Sequence, residues 1–446
     1  MKIFNALFIL LAAVNLCRAA DKNSPAWLTR PLSVADALNT ALLQNATILK
    51  AKNDLEASQG LVIETRAVAL PHVTASGQYK ASQSSLIENF GSFPQPLKNW
   101  NAGVRIEQTI YDGGRNIAAL RSASTTKKQS LAVYQTAVAD TLLSVRLAYY
   151  DVLLAAQQVT VREASVKLLE KELEDQQHRL DAGTVPKFNV LRAEVAAGNE
   201  RPTLIQARNG YRIAKNNLSN LLGYNLPHEV WEDIPLNLTD GFEIAAVEIN
   251  LPDAIQQALT RRTELEALRR TVDLQKLSVV NARSGYQPAI SLFAEYGWFN
   301  ARFTDPVELD HDIHGWDAGA QLTWNIFDGA ATYGKTKQAK AQFEKSKTEL
   351  TDQSRQIELQ VRTTYSDLLQ AHETLDSQAK VQEQADEALR EANARAEAGT
   401  GTQLDVLNAE TALTQARTTL VQAQHDYATA RAKFERATGS DLAPAK

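Results

Sequence analysis

Two stretches of this chain contain neither glycine nor proline over a length that few globular proteins accommodate. The first runs from Arg115 to Ala182 and the second from Lys335 to Ala398. At a rise of 1.5 Å per residue, the first stretch alone predicts a helix about 100 Å long, several times the usual globular length. Such a length is typical of a coiled coil, a membrane span or a helical repeat.

The period of the apolar residues distinguishes between these alternatives. In the first stretch a valine or leucine stands at every seventh position without a break, at Leu131, Val138, Val145, Val152, Val159, Val166, Leu173 and Leu180. The second stretch has the same spacing, interrupted at Gln382, at Val361, Leu368, Leu375 and Leu389. A seven-residue repeat keeps one seam of a helix facing its partner, so we predict coiled-coil packing.

The chain also contains two copies of one pattern. The segment DAGTVPKFNVLRAE at 181–194 aligns with EAGTGTQLDVLNAE at 397–410, and TIYDGG at 109–114 aligns in the same register with NIFDGA at 325–330. Self-similarity of this kind indicates duplication. We therefore predict a first repeat over residues 31–224, a linker over 225–249, a second repeat over 250–439 and a short tail over 440–446.

Each repeat is predicted to form a helical hairpin with the shared Gly-Thr pair at its tip. Gly183 and Gly399 directly follow the long helices, where a left-handed residue ends a helix. Shorter helices are expected over about 34–69, 186–222, 251–284 and 402–438. Laid end to end, the two shorter helices of a repeat would match its long helix, and Gly198 and Pro202 are expected to interrupt and bend the second one. The tip could also be a tight turn and nothing more.

Two segments in each repeat alternate between apolar and polar residues, which predicts strands over about 71–82, 99–112, 288–299 and 315–328. Alternation with aromatic residues near the ends is typical of transmembrane barrel strands, although a sheet half-buried on a soluble core gives the same pattern. Residues 1–19 read as a secretory signal peptide, which favours the membrane alternative. Four strands cannot close a barrel in lipid, so this alternative requires an oligomer.

The loops within the two strand pairs are long, at residues 83–98 and 300–315, and such loops are expected on the cell exterior. The second loop contains DHDIH at 310–314, whose side chains could bind metal, but nothing fixes a coordination geometry and no metal site is predicted. We found no catalytic or nucleotide-binding motif, so neither an enzyme nor a cofactor is predicted.

Charge and cysteine content narrow the class of protein further. The formal net charge of −5 gives no electrostatic footprint for nucleic acid. The only cysteine is Cys17. It would be removed if the signal peptide is cleaved after Ala19, or would carry a lipid if it became the first residue of the mature chain.

Together these features resemble the TolC-type outer-membrane factor family, across essentially the whole mature chain. The resemblance rests on the signal peptide, the duplication, two strands and long helices per repeat, and the two AGT…VLxAE tips. It implies a mainly α fold with a membrane β-barrel, in which three copies share one 12-stranded barrel continued by a periplasmic tunnel of helices.

In function, the resemblance implies an outer-membrane exit duct of a tripartite efflux or type I secretion system. Such a duct is passive, is opened by a periplasmic adaptor and is fed by an inner-membrane transporter. The alternative, considered from the residues alone, is a periplasmic or surface coiled-coil spacer or adhesin without a pore.

The resemblance also assigns candidate site residues. The family's acidic entrance motif DVLDA matches DVLNA here, which retains Asp405 and places Asn408 at the second acidic position. Three copies of Asp405 would form a negative ring that favours cations. The family's locking contacts are absent, because their positions hold Asn189, Ala396 and Gly401. The positions expected to contact the adaptor are Arg179, Leu180, Gly183, Thr184, Arg395, Gly399 and Thr400.

Overall fold

A computed structural model of the chain describes residues 31–83, 98–224, 233–244, 249–303 and 309–439, with main chain only at 301–303 and 309–311. The predicted signal peptide with Cys17, the predicted tail and most of the first long loop lie outside the described residues. The first repeat contains α1 (Val34–Gln44), α2 (Ala46–Ala67), β1 (His72–Ala81), β2 (Lys98–Tyr111), α3 (Arg115–Asp181) and α4 (Lys187–Leu221). The second contains α5 (Leu251–Arg261), α6 (Thr263–Arg283), β3 (Ala289–Phe303), β4 (Leu309–Thr323), α7 (Ala331–Glu397) and α8 (Gln403–Thr438).

The two long helices dominate the fold. Helices α3 and α7 contain 67 residues each, which confirms the predicted length of about 100 Å. Helix α3 packs against α1, α2 and α4, and α7 packs against α5, α6 and α8. The shorter partners contain 11, 22 and 35 residues in the first repeat and 11, 21 and 36 in the second. Laid end to end, they therefore match one long helix, as expected. None of the described helices combines the length and apolar character needed to cross a membrane.

The seven-residue seam lies at the packed face of both long helices. Val145 and Val152 are completely buried on α3, and Val361 is completely buried on α7. Toward the sheet the seam of α3 ends, since Leu131 is 45% exposed in the single chain. On α3 the predicted seam is therefore buried at Val145, Val152 and Val166, half-buried at Leu173 and Leu180 towards the tip, and exposed at its beginning.

The opening helix of each repeat is divided, although one continuous helix was predicted in each case. At the first division, the side-chain oxygen of Asn45 accepts hydrogen bonds from the N–H groups of Thr47 and Ile48 at 2.8 and 3.3 Å. This caps α2, while the Asn45 amide donates to the Leu221 carbonyl at 2.7 Å. The second division is at Arg262, whose backbone is extended.

The prediction that Gly198 and Pro202 interrupt the returning helix is wrong. Helix α4 is continuous across both residues. Both are exposed, so water can satisfy the Gly198 carbonyl, which has no N–H partner at Pro202.

The four strands form one antiparallel sheet in the order β1-β2-β3-β4, so β2 and β3 join the two repeats edge to edge. The sheet has an apolar and a polar face. Val104 lies opposite Tyr296 on the apolar face, and Arg105 pairs with Glu295 at 3.3 Å on the polar face. On β4, Trp316 continues the apolar face opposite Tyr296.

The second strand pair differs from its prediction at both ends. Strands β3 and β4 pair as far as Phe303 and Leu309, so the segment 310–314 lies in a strand and not in an exterior loop. At the other end β4 stops at Thr323, and the segment 324–328 that was predicted to belong to it follows the strand. Backbone hydrogen bonds between β3 and β4 continue through polar residues, so the alternation of side chains did not show where the pairing of these strands ends.

The short motifs DGG and DGA form the turns from strand to long helix. Asp112 accepts a hydrogen bond from the N–H of Asn116 at 3.0 Å, and Asp328 accepts one from the N–H of Thr332 at 2.8 Å. Each carboxylate therefore satisfies a first-turn N–H group that the helix cannot. These hydrogen bonds lower the pKa of Asp328, with the Thr332 hydroxyl as the largest cause.

The described part of the segment between the repeats is packed against the first repeat. Leu32 pairs with Leu238 as an isolated parallel bridge, and its N–H donates to the Asn237 carbonyl at 2.8 Å. Ile234 and Leu236, each 5% exposed, belong to the same apolar core as α1 and the middle of α3. The segment therefore adds to the core of the first repeat.

Candidate gate and docking surface at the helical tips

The two hairpin tips share one backbone geometry. Gly183 and Gly399 have φ values of 71° and 72°, which a glycine adopts without strain. The N–H groups of Thr184 and Thr400 then donate to the carbonyls of Arg179 and Arg395, in both cases at 2.9 Å, which is the Schellman arrangement. The two threonine hydroxyls donate to the same carbonyls at 2.9 and 3.3 Å. Turn geometry thus accounts for the Gly-Thr pair in both tips.

The predicted adaptor-contacting residues are brought together at each tip but differ in what they offer a partner. Leu180 is half-buried, and the other six are exposed. Arg395 pairs with Glu391 at 2.5 Å, whereas no partner of the Arg179 side chain is found in the described part of the chain. The glycines and threonines thus serve the turns, and Arg395 is paired, so among the described residues Arg179 is the tip cation without a partner.

Asp405 holds the start of α8 in a capping box. Its carboxylate accepts hydrogen bonds from the N–H and the hydroxyl of Thr402 at 2.9 and 2.7 Å, and its own N–H donates to that hydroxyl at 3.3 Å. These bonds from Thr402 lower the pKa of Asp405, so the carboxylate stays ionised near neutral pH. Asp405 and Asn408 are both exposed and lie one turn apart.

The contacts between the two tips are not those of the family's lock. Gln403 donates from its side-chain amide to the Asn189 carbonyl at 3.1 Å, which joins the start of α8 to the start of α4. A side chain at Gly401 would have its Cβ 3.0 Å from the Cβ of Arg395 and 3.1 Å from the nitrogen of Ala396. The chain therefore has a main-chain contact at Asn189 and too little space for a longer side chain at Gly401.

A buried carboxylic acid, Glu410, lies five residues after Asp405, about one and a half turns along α8. Glu410 is 4% exposed, and its Oε2 has no hydrogen-bond partner among the described residues. Burial, and then the charge of Glu172 on α3, raise the pKa of Glu410 to about 7. Gln176, also 4% exposed, donates to Glu172 at 2.9 Å. Glu194, the aligned residue of the first tip, is exposed.

In the sequence Glu410 served only to align the two repeats, and its burial was not predicted. A signal was present, since Val406 and Leu413 lie four residues before and three residues after it on one helical face. Both are buried in the apolar cluster that packs α7 and α8 together near the tip. An acid between them is on the packed face of the helix.

The packing behind the second tip is therefore expected to depend on pH. Between the ordinary value of 4.5 and the folded-state pKa of about 7, the folded protein keeps a proton on Glu410 that the unfolded chain releases. The stabilising contribution is complete below the lower value and is lost as the pH rises through the upper one. We expect the midpoint of thermal unfolding, followed by circular dichroism, to fall between about pH 5 and about pH 8.

Two glutamine variants test the source of this pH dependence. Glu410→Gln should show a smaller fall of the midpoint, because glutamine stays neutral. Glu194→Gln is the matched control at the exposed, aligned position and should keep the fall of the unsubstituted protein. The same fall in all three proteins would show that Glu410 does not cause it.

Comparisons with known proteins agree with this fold and its duplication. The profile of the outer membrane efflux protein family matches residues 37–224 and 254–440, one match in each repeat. The chain is similar to the alkaline protease secretion protein AprF of Pseudomonas aeruginosa, with 26% identity over 344 residues, 77% of this chain and 67% of AprF. It is similar to the outer membrane protein TolC of Escherichia coli, with 22% identity over 408 residues, 90% of this chain and 80% of TolC.

Among solved structures, the outer-membrane channel OprN has the same fold, with a TM-score of 0.77 and 20% identity over 92% of this chain and 91% of OprN. The resemblance inferred from the signal peptide, the duplication and the tips is thereby confirmed. Since the profile matches both repeats, this chain belongs to the outer membrane efflux protein family.

Proposed function

We propose that three copies of this chain form a passive exit duct, with one 12-stranded barrel in the outer membrane and a tunnel of helices in the periplasm. The observation that carries the proposal is the open sheet. Within the described strands, β1 and β4 each pair on one side only, and the sheet has a continuous apolar face. Unpaired strand edges are not tolerated in lipid, so the free edges must pair with further copies.

In this proposal the duct supplies no energy. An inner-membrane transporter drives the cargo, and a periplasmic adaptor docks on the exposed tips and separates them. The name of AprF, an alkaline protease secretion protein, supports secretion as the task, and the matching profile of outer membrane efflux proteins supports efflux. The cargo is chosen by the transporter and adaptor. The alternative of a coiled-coil spacer or adhesin without a pore finds no support among these relatives.

The proposed gate is a ring of three Asp405 carboxylates at the periplasmic end of the tunnel. Asp405 is exposed, and its lowered pKa keeps it charged. Thr402 fixes its position through the capping box. A fixed ring of negative charge favours cations and is a place where multivalent cations bind and block. Asn408, one turn further on, leaves a second, uncharged ring.

Single-channel recording of the purified protein in planar bilayers tests the duct and the gate together. We expect a small cation-selective conductance that multivalent cations block from the periplasmic side. Asp405→Asn removes the charge but keeps an oxygen that can accept from Thr402, and it should weaken the block by at least about tenfold. Asn408→Asp adds a second charged ring and should strengthen the block.

The exposed acid at the end of α3 provides the control. Asp181→Asn removes one charge per chain near the first tip and should leave the block unchanged. An unchanged block in Asp405→Asn would discard the gate residue while keeping the duct. Absence of any conductance from folded, inserted protein would contradict the duct.

Adaptor docking is tested by reversing the charge of the exposed arginine at each tip. We expect Arg179→Glu combined with Arg395→Glu to abolish efflux or secretion when the variant replaces the chromosomal copy in its own host. Conductance of the purified variant should remain, while its block by multivalent cations should strengthen, because the charge of Arg395 acts on Asp405 and its reversal adds negative charge there. Arg201→Glu with Arg208→Glu applies the same charge change on α4 away from the tips and should retain transport. Transport by the tip variant at the unsubstituted level would contradict docking through these arginines.

A further inference from the structure

A cavity of about 500 Å³ lies between the end of α6 and the start of α7, directly below the sheet. It is lined by Arg283, Tyr286, Gln287, Tyr333, Thr336, Lys337 and Lys340. Three of these residues are cationic and none is acidic. The cavity therefore has a net positive charge of three, far from the gate and from the tips.

The three cations have no counterion of their own. Arg283, Lys337 and Lys340 are exposed, and in the part of the chain that the structure describes none of them makes an ion pair or a side-chain hydrogen bond. Further along the same helix, Lys345 pairs with Glu349 at 3.6 Å and Lys347 with Glu344 at 2.9 Å. The cations around the cavity thus differ from Lys345 and Lys347, whose charges are balanced by carboxylates on the same helix.

The cavity opens on the apolar side of the sheet. Tyr111 lies opposite Ile290, on the apolar face, and its hydroxyl lies 3.3 Å from the side-chain oxygen of Gln287 in the cavity wall. Trp324, which follows β4, donates from its indole nitrogen to the Tyr286 carbonyl at 3.2 Å. The cavity is therefore continuous with the surface that lipid covers.

Aromatic residues surround this end of the sheet. Tyr286 and Tyr333 in the cavity wall are 49% and 62% exposed, and Trp324 and Phe327 are 54% and 87% exposed. Tyrosine and tryptophan are enriched where hydrocarbon meets the headgroups, because one end of the side chain is apolar and the other polar. Their position marks the boundary of the periplasmic leaflet.

The cations lie at the depth of the headgroups. Strand β3 begins at Ala289, so Tyr286 and Gln287 stand immediately below it. At 1.5 Å per residue, Lys337 and Lys340 lie about 6 and about 10 Å along α7 from Tyr333. The headgroup region extends about 5–8 Å beyond the hydrocarbon on each side of a bilayer. A lipid phosphate at that depth would meet Arg283 and Lys337, and the long side chain of Lys340, which tilts toward the helix N-terminus, reaches back to it.

We propose that the cluster of Arg283, Lys337 and Lys340, with Tyr286 and Tyr333, binds the phosphate of an anionic phospholipid in the periplasmic leaflet. The guanidinium can bind two phosphate oxygens at once, and the two lysines balance the remaining charge. The acyl chains then run up the apolar face. Lipopolysaccharide is excluded as the occupant, since it fills the opposite leaflet at the far end of the strands.

The proposal rests on the position of the sheet in the outer membrane and requires neither the gate nor the adaptor. It is tested by native mass spectrometry of the protein released from nanodiscs that contain equal amounts of phosphatidylglycerol and phosphatidylethanolamine. We expect phosphatidylglycerol to remain bound in preference. Arg283→Gln, Lys337→Gln and Lys340→Gln together should reduce its retention by about fivefold or more.

The matched control is Lys345→Gln with Lys347→Gln, which neutralises two paired lysines on the same helix and should keep the bound lipid. Equal loss in the control, or equal retention of the two lipids by the unsubstituted protein, would overturn the proposal. Displacement of the lipid by millimolar inorganic phosphate would identify a simple anion site and would also overturn it. If the triple variant fails to assemble, Lys340→Gln alone applies the same test.

Channel recording on the triple variant separates this proposal from the exit duct. Conductance and cation block should stay at the level of the unsubstituted protein, since the cavity lies outside the conducting path. Loss of conductance together with retained lipid would contradict the lipid site.

Discussion

A four-stranded sheet with one apolar face, whose outer strands have no second partner among the described residues, is the constraint on which the rest of this structure depends. In water its apolar face would be exposed, and in lipid the unpaired N–H and C=O groups of β1 and β4 would each cost several kcal/mol. Closure with further copies pairs the backbone groups of both edges and leaves the apolar face covered by lipid. Because neighbouring strands are antiparallel, β1 and β3 begin and β2 and β4 end at the same end of the sheet, so the helices of both repeats leave it on the same side. A barrel continued by a bundle of hairpins is the form that meets these conditions.

Duplication gave the chain two tips with the same backbone and different chemistry. The turn requires the glycine and the threonine of each tip, and these residues are the same in both tips. The positions beyond the turn diverged, as Asn189 stands where the second tip has Asp405, and Glu194 is exposed where Glu410 is buried. The proposed charged entrance at Asp405 and the buried Glu410 behind it therefore both belong to the second hairpin. Burial of Glu410 beside Glu172 of α3 raises its pKa, and the stability of the second tip is expected to depend on pH for this reason.

Features governed by local rules could be predicted from the sequence. These are the long helices, the seven-residue seam, the left-handed glycines of the tips and the alternation in the strands. Features that depend on a distant partner could not. The break between α1 and α2 at Asn45 depends on the distant Leu221 carbonyl. The burial of Glu410 depends on α3 and on the apolar cluster around it. The pairing of β3 with β4 beyond the predicted strand ends depends on backbone hydrogen bonds between the two strands, which no side-chain pattern reveals. The prediction at Pro202 was wrong for the opposite reason. The local rule predicts a break in the helix, but the Gly198 carbonyl that loses its N–H partner is on an exposed face, where water can bind it.

Disulfide cross-linking between the free edges of the sheet tests trimeric closure most directly. The only cysteine of the chain is Cys17, inside the predicted signal peptide, so no native cysteine in the strands or helices competes with the introduced pairs for disulfide formation. Ser76→Cys on β1 would be combined in turn with Asp317→Cys, Gly319→Cys and Gln321→Cys on β4, all on the polar face. If three copies close the barrel, at least one pair gives a closed covalent trimer on a denaturing gel without reductant, with no larger species. Cross-links that stop at dimers, extend beyond trimers or form at no position would contradict trimeric closure.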